Sequence, residues 1–322
     1  LGMLQAFALA ALMFLGWVNV WVLLGLTFFI GVVWAFNTAA RLSMVPNLME
    51  PEHVSSAIAL DSAVFNLARF IGPPIAAFLY VAIGPQWLFF FNGMTFAIFV
   101  FTLFKCRLLR DERGLAGSGS VLAQAVEGIR YAARHPGIGP ILIVVIAIAL
   151  GVKPVLELFP AVNGAVYKMD ATGLGWMMSV SAVGAVLGSI WLAQRGTSVG
   201  LTRYLMGNLI FAALSLFGFC ATENYVLGLI GVFFIGIAVV IGGTGTQALM
   251  QNAVDGAMRG RVMSLYGMIY RGVPALGALA IGWSAAWVGL QVAIAFGGVV
   301  CIGTFIWMLS RRQTVTRALE GE

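Results

Sequence analysis

Residues 138–159 read IGPILIVVIAIALGVKPVLELF, a run whose only charges are Lys153 and Glu157. About 20 apolar residues are what a helix needs to cross the hydrocarbon core of a bilayer. In lipid only helices and closed barrels satisfy every backbone hydrogen bond, so this run reads as a transmembrane helix. Working outward, comparable segments precede it at 1–16, 21–41, 56–81 and 86–105, and follow it at 171–193, 203–221, 225–249, 262–287 and 290–309. The chain is 61% hydrophobic and only 9% charged, against about 25% charged in an ordinary soluble domain. The fold class is therefore an all-α membrane protein with ten spans.

The basic residues fix the orientation. Of 18 Lys and Arg, 14 fall at one alternating set of connections: Arg41, the run from Lys105 to Arg134, Arg195, Arg203, Arg259, Arg261 and the tail Arg311, Arg312 and Arg317. The opposite set holds only Lys168. Cytoplasmic loops are enriched in Lys and Arg, which places the first set and the C-terminus inside the cell. The net charge of +6 then reflects orientation and contact with anionic headgroups rather than nucleic-acid binding. Cys106, Cys220 and Cys301 are too dispersed for a metal site or redox pair. Trp17, Trp21, Trp87, Trp283 and Trp287 sit near outer span ends, as interface anchors do.

One hydrophilic stretch, Lys105 to Gly139, separates four spans from six. Within it Val121, Leu122, Ala125, Val126, Ile129, Ala132 and Ala133 recur at helical spacing, opposite Gln124, Glu127, Arg130 and Arg134. That pattern predicts a helix lying on the membrane surface, ended at His135-Pro136 because proline disfavours helical geometry in the preceding residue. The expected organisation is a bundle at 1–105, a linker with the surface helix at 106–137, a second bundle at 138–310 and a tail at 311–322. The bundles share a motif. Pro46-Asn47 through Glu50 to Ala68-Arg69 and Gly72-Pro73 matches Gln251-Asn252 through Asp255 to Tyr270-Arg271 and Pro274, about 200 residues later. Two parallel six-helix repeats have that spacing.

These residues carry a resemblance to the major facilitator superfamily, in the bacterial branch that includes the enterobactin exporter and the macrolide efflux proteins. Gly31 to Arg41 resembles that branch's fourth helix, Val45-Pro46-Asn47-Leu48 the turn after it, and Asn66 to Pro74 its fifth. Phe159-Pro160, Gly173-Leu174-Gly175, Gly184 to Ser189 and Arg259 to Leu265 resemble later landmarks. The resemblance implies ten of twelve family helices in two parallel bundles, with two helices expected ahead of residue 1, where the sequence opens on Leu1 inside a span. Two departures stand out. The charged motif between family helices two and three is absent, with a weaker echo at Gly188, Ser189, Ala193, Gln194 and Arg195. The fifth-helix antiporter motif keeps Gly72 and Pro73 but ends in Ala76 and Ala77 instead of two glycines.

Ionisable residues at bilayer depth cost about 2.5 to 3.5 kcal/mol on insertion scales, which makes them functional candidates. Lys153 and Glu157, four apart around Pro154, share a helix face. If transport separates them, Glu157 is placed to take up a proton, since a carboxyl losing its cation in a low dielectric rises in pKa. The plainer reading is a permanently paired couple near the outer face. Asp61 reads as a solvated first-turn acid. Arg69 and Arg271, related by the repeat, are expected to pack and gate each half. In the family, helices one, four, seven and ten line the central cavity, so the resemblance assigns Asn37, Lys153, Glu157 and Gln247 to the translocation path. It also assigns Arg195, Arg259 and Arg261 to cytoplasmic loop motifs. For Asn37 and Gln247 ordinary interhelical hydrogen bonding is the plainer role.

The leading function is a secondary transporter that exports a small amphipathic solute such as a drug or siderophore by alternating access, in exchange for protons or another coupling ion. A monomer in the bacterial cytoplasmic membrane is expected, without cofactor or metal. No ATP-binding loop is present, and His53 and His135 are 82 residues apart, which offers an enzyme no local ligand set. An importer or facilitator of the same fold, or a non-transporting scaffold or sensor, is the alternative.

Overall fold

The computed structural model describes residues 1–44, 82–105, 121–195 and 200–320, with isolated positions between 64 and 80, and no side chains at 35–44, 121–125 and 256–257. Asp61, Arg69, Pro73, the first copy of the repeat motif and the charged part of the linker lie outside the described residues. Gly72 is helical. Among the described residues seven helices are long and apolar enough to cross a membrane, and two shorter apolar stretches, Gly2–Phe14 and Val20–Trp34, accompany them. The chain forms two compact units, Leu1–Ser118 and Gly119–Glu322.

The first unit contains α1 (Gly2–Phe14), α2 (Val20–Met44) and α3 (Pro85–Lys105). Asn19 caps α2, its Oδ1 accepting from Val22 N at 2.9 Å. Aromatic rings join α1 to α3: Phe14 meets Trp87 edge-on at 5.2 Å and Phe7 meets Phe90 at 5.7 Å. Phe7 lies over Gly93, where a Cβ would stand 2.7 Å from the ring.

The second unit contains α4 (Val121–Arg134), α5 (Ile138–Gly151), α6 (Pro154–Glu157), α7 (Phe159–Ala165), α8 (Ala171–Arg195), α9 (Leu201–Cys220), α10 (Tyr225–Ala253), α11 (Gly256–Val288), α12 (Leu290–Leu309) and α13 (Arg312–Glu320). Polar side chains close by in sequence cap three of its helix starts. Asp170 Oδ1 accepts from Thr172 N and Gly173 N, Asn224 Oδ1 from Val226 N and Leu227 N, and His135 Nδ1 from Gly137 N and Ile138 N. Each satisfies amides that a helix leaves without partners.

Lipid tails are as apolar as leucine, so close packing rather than water exclusion holds such helices together. Glycine permits it at two crossings. A Cβ on Gly184 would strike Phe233 O and one on Gly236 would strike Ser181 O, which seats α8 against α10; Gly151 and Gly297 approach each other in the same way between α5 and α12. Gly188 continues the first crossing, with Ile237 O 3.2 Å from its virtual Cβ. Of the stripe Gly272, Gly277 and Gly282, only Gly277 is at such an approach among the described residues, against Pro154 Cγ and Leu150 O.

Val121–Arg134 is helical, and α4 rests by one edge on α11. Val126 and Ile129 are 53% and 49% exposed, while Ala132 and Gly128 are buried and Gly128 lies against Arg261. Glu127 and Tyr131, beside Gly128 on the helix, anchor it by pairing with Arg261 (2.9 Å) and Asp255 (3.1 Å). The apolar stripe stays open because this polar and glycine edge is the one that fits α11. At the chain's end α13 buries Val315 and Leu319, and Glu320 accepts from Gly200 N at 2.5 Å and Thr202 N at 2.7 Å, capping α9 from outside its own sequence.

Candidate translocation site

Proline 154 has no amide hydrogen, and the helix yields around it. Val152 N and Lys153 N both donate to Ile148 O, and Val155 N and Leu156 N then donate three residues back, to Val152 O and Lys153 O. Bonds of that kind advance the chain by about 120° per residue. Four positions then no longer return to one face, and Lys153 parts from Glu157. The Lys153 ammonium reaches α11 instead, donating to Tyr270 O at 2.6 Å and lying 4.1 Å from the centre of the Tyr270 ring.

That contact belongs to a polar seam through three helices. Tyr270 stacks on Tyr266 with ring centres 5.5 Å apart and planes within 11°. Their hydroxyls donate to α10, Tyr270 to Val239 O at 3.2 Å and Tyr266 to Gly243 O at 2.8 Å. Gly243 is obligatory here, since a Cβ would overlap the Tyr270 hydroxyl. Thr246, fully buried, donates back to Gly242 O and Gly243 O at 2.6 and 2.8 Å. A cation is thus held at bilayer depth by a carbonyl and an aromatic face, the two supports that offset its transfer cost.

Glu157 is exposed, and among the described residues it forms no ion pair; the couple expected with Lys153 is not formed. Gln247 is half-buried one residue beyond Thr246, and Arg271 is exposed beside Tyr270. Asn37 lies on α2 among the residues whose side chains are not described. The seam's organising residues, Tyr266 and Tyr270, were not site candidates in the sequence. Their four-residue spacing on a span, opposite a glycine-rich helix, was the available signal.

The end of the second unit where α8, α10 and α12 finish gathers Arg195, Arg203, Arg259 and Arg261. Arg195 lies 4.0 Å over the Tyr204 ring, and Arg261 holds Glu127. A cleft of about 420 Å³ opens there between α4 and the start of α11, lined by Glu127, Arg130, Tyr131, Arg134, His135 and Met258. Burial pushes the His135 imidazole below its usual 6.5, against the opposing pull of Asp255. It also raises the Tyr131 phenol. At the opposite end burial lifts Tyr167 to about 12. Among the described residues no cluster of three metal-ligating side chains occurs.

A family described as transmembrane secretion effector matches residues 1–320. The chain is 23% identical over 304 residues to the uncharacterized MFS-type transporter YfiS of Bacillus subtilis (strain 168), a match covering 88% of this chain and 71% of that protein. It is 22% identical over 289 residues to the staphyloferrin A transporter of Staphylococcus aureus (strain NCTC 8325 / PS 47), covering 88% of this chain and 70% of that one. A third relative, the uncharacterized MFS-type transporter y4rN of Sinorhizobium fredii, is 26% identical over 196 residues, or 61% of this chain and 45% of its own length.

Proposed function

The chain belongs to the transmembrane secretion effector family of major facilitator transporters, and we propose that it exports a small amphipathic solute in exchange for protons. It is a multi-pass membrane protein and a transporter rather than an enzyme. The reading adds ten spans, a cytoplasmic C-terminus, a monomer in the bacterial cytoplasmic membrane and membership of the branch with siderophore and macrolide exporters. The name of the Staphylococcus aureus relative supports a siderophore among the cargo classes.

One observation carries the coupling: Glu157 follows an apolar span, one turn from a cation committed to another helix, and has no ion pair among the described residues. In a closed, dry state of the transport cycle a carboxylate is costly as an anion and tolerable as an acid. Proton binding therefore switches its preference between a hydrated and a dry setting, which is what alternating access requires of a coupling residue. Lys153 supplies a cation on the same span, held by Tyr270. Asn37 and Gln247 line the path with Lys153 and Glu157; Asp61, Arg69 and Arg271 serve gating, and Gly72 and Pro73 carry the partial antiporter motif.

Glu157→Gln is the test. It removes the proton site and keeps size and hydrogen bonding, so cells carrying it should insert the protein at normal level yet accumulate solute as an empty-vector strain does. Undiminished efflux by this variant would refute the assignment.

A further inference from the structure

Away from Lys153, a groove of about 840 Å³ runs along the second unit between α8, α9 and α10. Its basic end carries Arg203 and the aromatic pair Trp191 and Tyr204, whose rings meet edge-on at 5.3 Å. Going deeper it becomes apolar, walled by Leu187, Phe211, Ile237 and Ile241. From Arg203 to Phe211 is eight residues, or about 12 Å of helix. Leu187, Trp191 and Tyr204 are 47%, 37% and 48% exposed, and the helices bearing them are membrane-spanning by length and hydropathy, so the groove opens toward lipid.

The charges select what fits. Arg203 is exposed and has no ion pair among the described residues, while Arg195, over the Tyr204 ring, adds a second cation at the same level. The nearby amides of Gly200 and Thr202 are already occupied by Glu320, which leaves the Arg203 guanidinium as the anion donor. Arginine binds phosphate through a planar fork of N–H groups, and tryptophan and tyrosine favour the headgroup level. A cationic rim followed by an apolar channel has the chemistry of one phospholipid with its phosphate at the rim.

We propose that this groove is a binding site for an anionic phospholipid, with the phosphate at Arg203 and one acyl chain lying over Gly207 toward Ile237 and Ile241. Gly207 is the position that leaves room for the chain: a Cβ built there meets no heavy atom within 4 Å, in contrast to Gly188 on the facing helix. The occupant is anionic; a zwitterionic phospholipid brings the same phosphate to Arg203, but its headgroup cation is repelled by Arg203 and Arg195 and weakens the hold.

The experiment uses the protein in vesicles containing chain-brominated phosphatidylglycerol or chain-brominated phosphatidylcholine at equal mole fraction. Quenching of the Trp191 signal, taken as the difference from Trp191→Phe, reports occupancy. Phosphatidylglycerol should be enriched about fivefold over phosphatidylcholine, the scale of one basic residue against an anionic headgroup. Arg203→Gln should remove that preference but keep the quenching. Gly207→Leu, which occupies open space and should leave thermal stability unchanged, should lower the quenching by both lipids. Equal quenching by the two lipids in the parent protein, a preference that survives Arg203→Gln, or quenching indifferent to Gly207→Leu would each overturn the proposal. So would displacement of the brominated lipid by a siderophore or macrolide at concentrations that saturate transport, which would make the groove a solute site.

Discussion

Lys153 is where residue chemistry and transport meet. Its ammonium nitrogen is received within an apolar span by the Tyr270 carbonyl and ring. A cation over a desolvated ring contributes about 0.5 to 2 kcal/mol. A double-mutant cycle of Lys153→Met and Tyr270→Leu, read by thermal unfolding in detergent, should therefore give a coupling energy of about 1 kcal/mol; additivity within about 0.3 kcal/mol would show the contact to be incidental. The sequence placed both charges on one span and misjudged the partner of Lys153. Spacing of four implies a shared face only in a regular helix, and the bonds around Pro154 are not regular. The partner, 117 positions away along the chain, is a tertiary fact that local periodicity cannot contain. Glu157 illustrates the converse, since its type and depth alone made it a candidate.

At the scale of elements, apolar length was enough. The segments expected at 138–159, 171–193, 203–221, 225–249 and 290–309 meet helices at Ile138–Glu157, Ala171–Arg195, Leu201–Cys220, Tyr225–Ala253 and Leu290–Leu309, because a bilayer demands unbroken runs that stand out against any loop. How helices touch was less legible. Among the described residues Gly184 and Gly277 mark crossings while Gly272 and Gly282 do not, although all four look alike in sequence. Gly184→Leu should force α8 from α10 and cost about 1 to 3 kcal/mol as an overpacked contact, lowering the unfolding temperature; Gly272→Leu should leave it unmoved. The surface helix shows the same limit, since its hydrophobic pattern identified a face but the Glu127 and Tyr131 contacts chose the edge that docks.

His135 adds a pH-dependent joint between α4 and α5. Its Nδ1 accepts two amides and therefore must be unprotonated, in keeping with a pKa depressed below 6.5 by burial. A histidine that resists protonation in the folded state contributes stability above about pH 6.5 and loses it as pH falls toward the folded value. The protection factors of the Gly137 and Ile138 amides, which allow for the slower intrinsic exchange at lower pH, should accordingly fall between pH 6.5 and 5.5, and His135→Asn, which retains an acceptor, should flatten that dependence. Protection factors that are level across this range in the parent protein would contradict the joint.

The whole molecule joins a family fold to local adaptations. Its second unit is closed by α13, whose Glu320 completes the start of α9. Removing such a cap typically costs about 1 kcal/mol, so Glu320→Ala should expose Arg312 and Arg317 to trypsin several times faster without unfolding the bundle; an unchanged cleavage rate would make the latch ornamental. Fold and family were legible because length, charge alternation and motifs act over the whole chain. Cargo was not, since solute recognition depends on a few side chains whose positions follow from packing. The most direct measurement of the central claim is proton movement in vesicles containing the purified protein and a trapped pH dye. Adding a siderophore or macrolide cargo should drive a proton flux opposite to the solute that the Glu157→Gln protein lacks, whereas solute transport with no accompanying proton movement, indifferent to an imposed pH gradient, would contradict it.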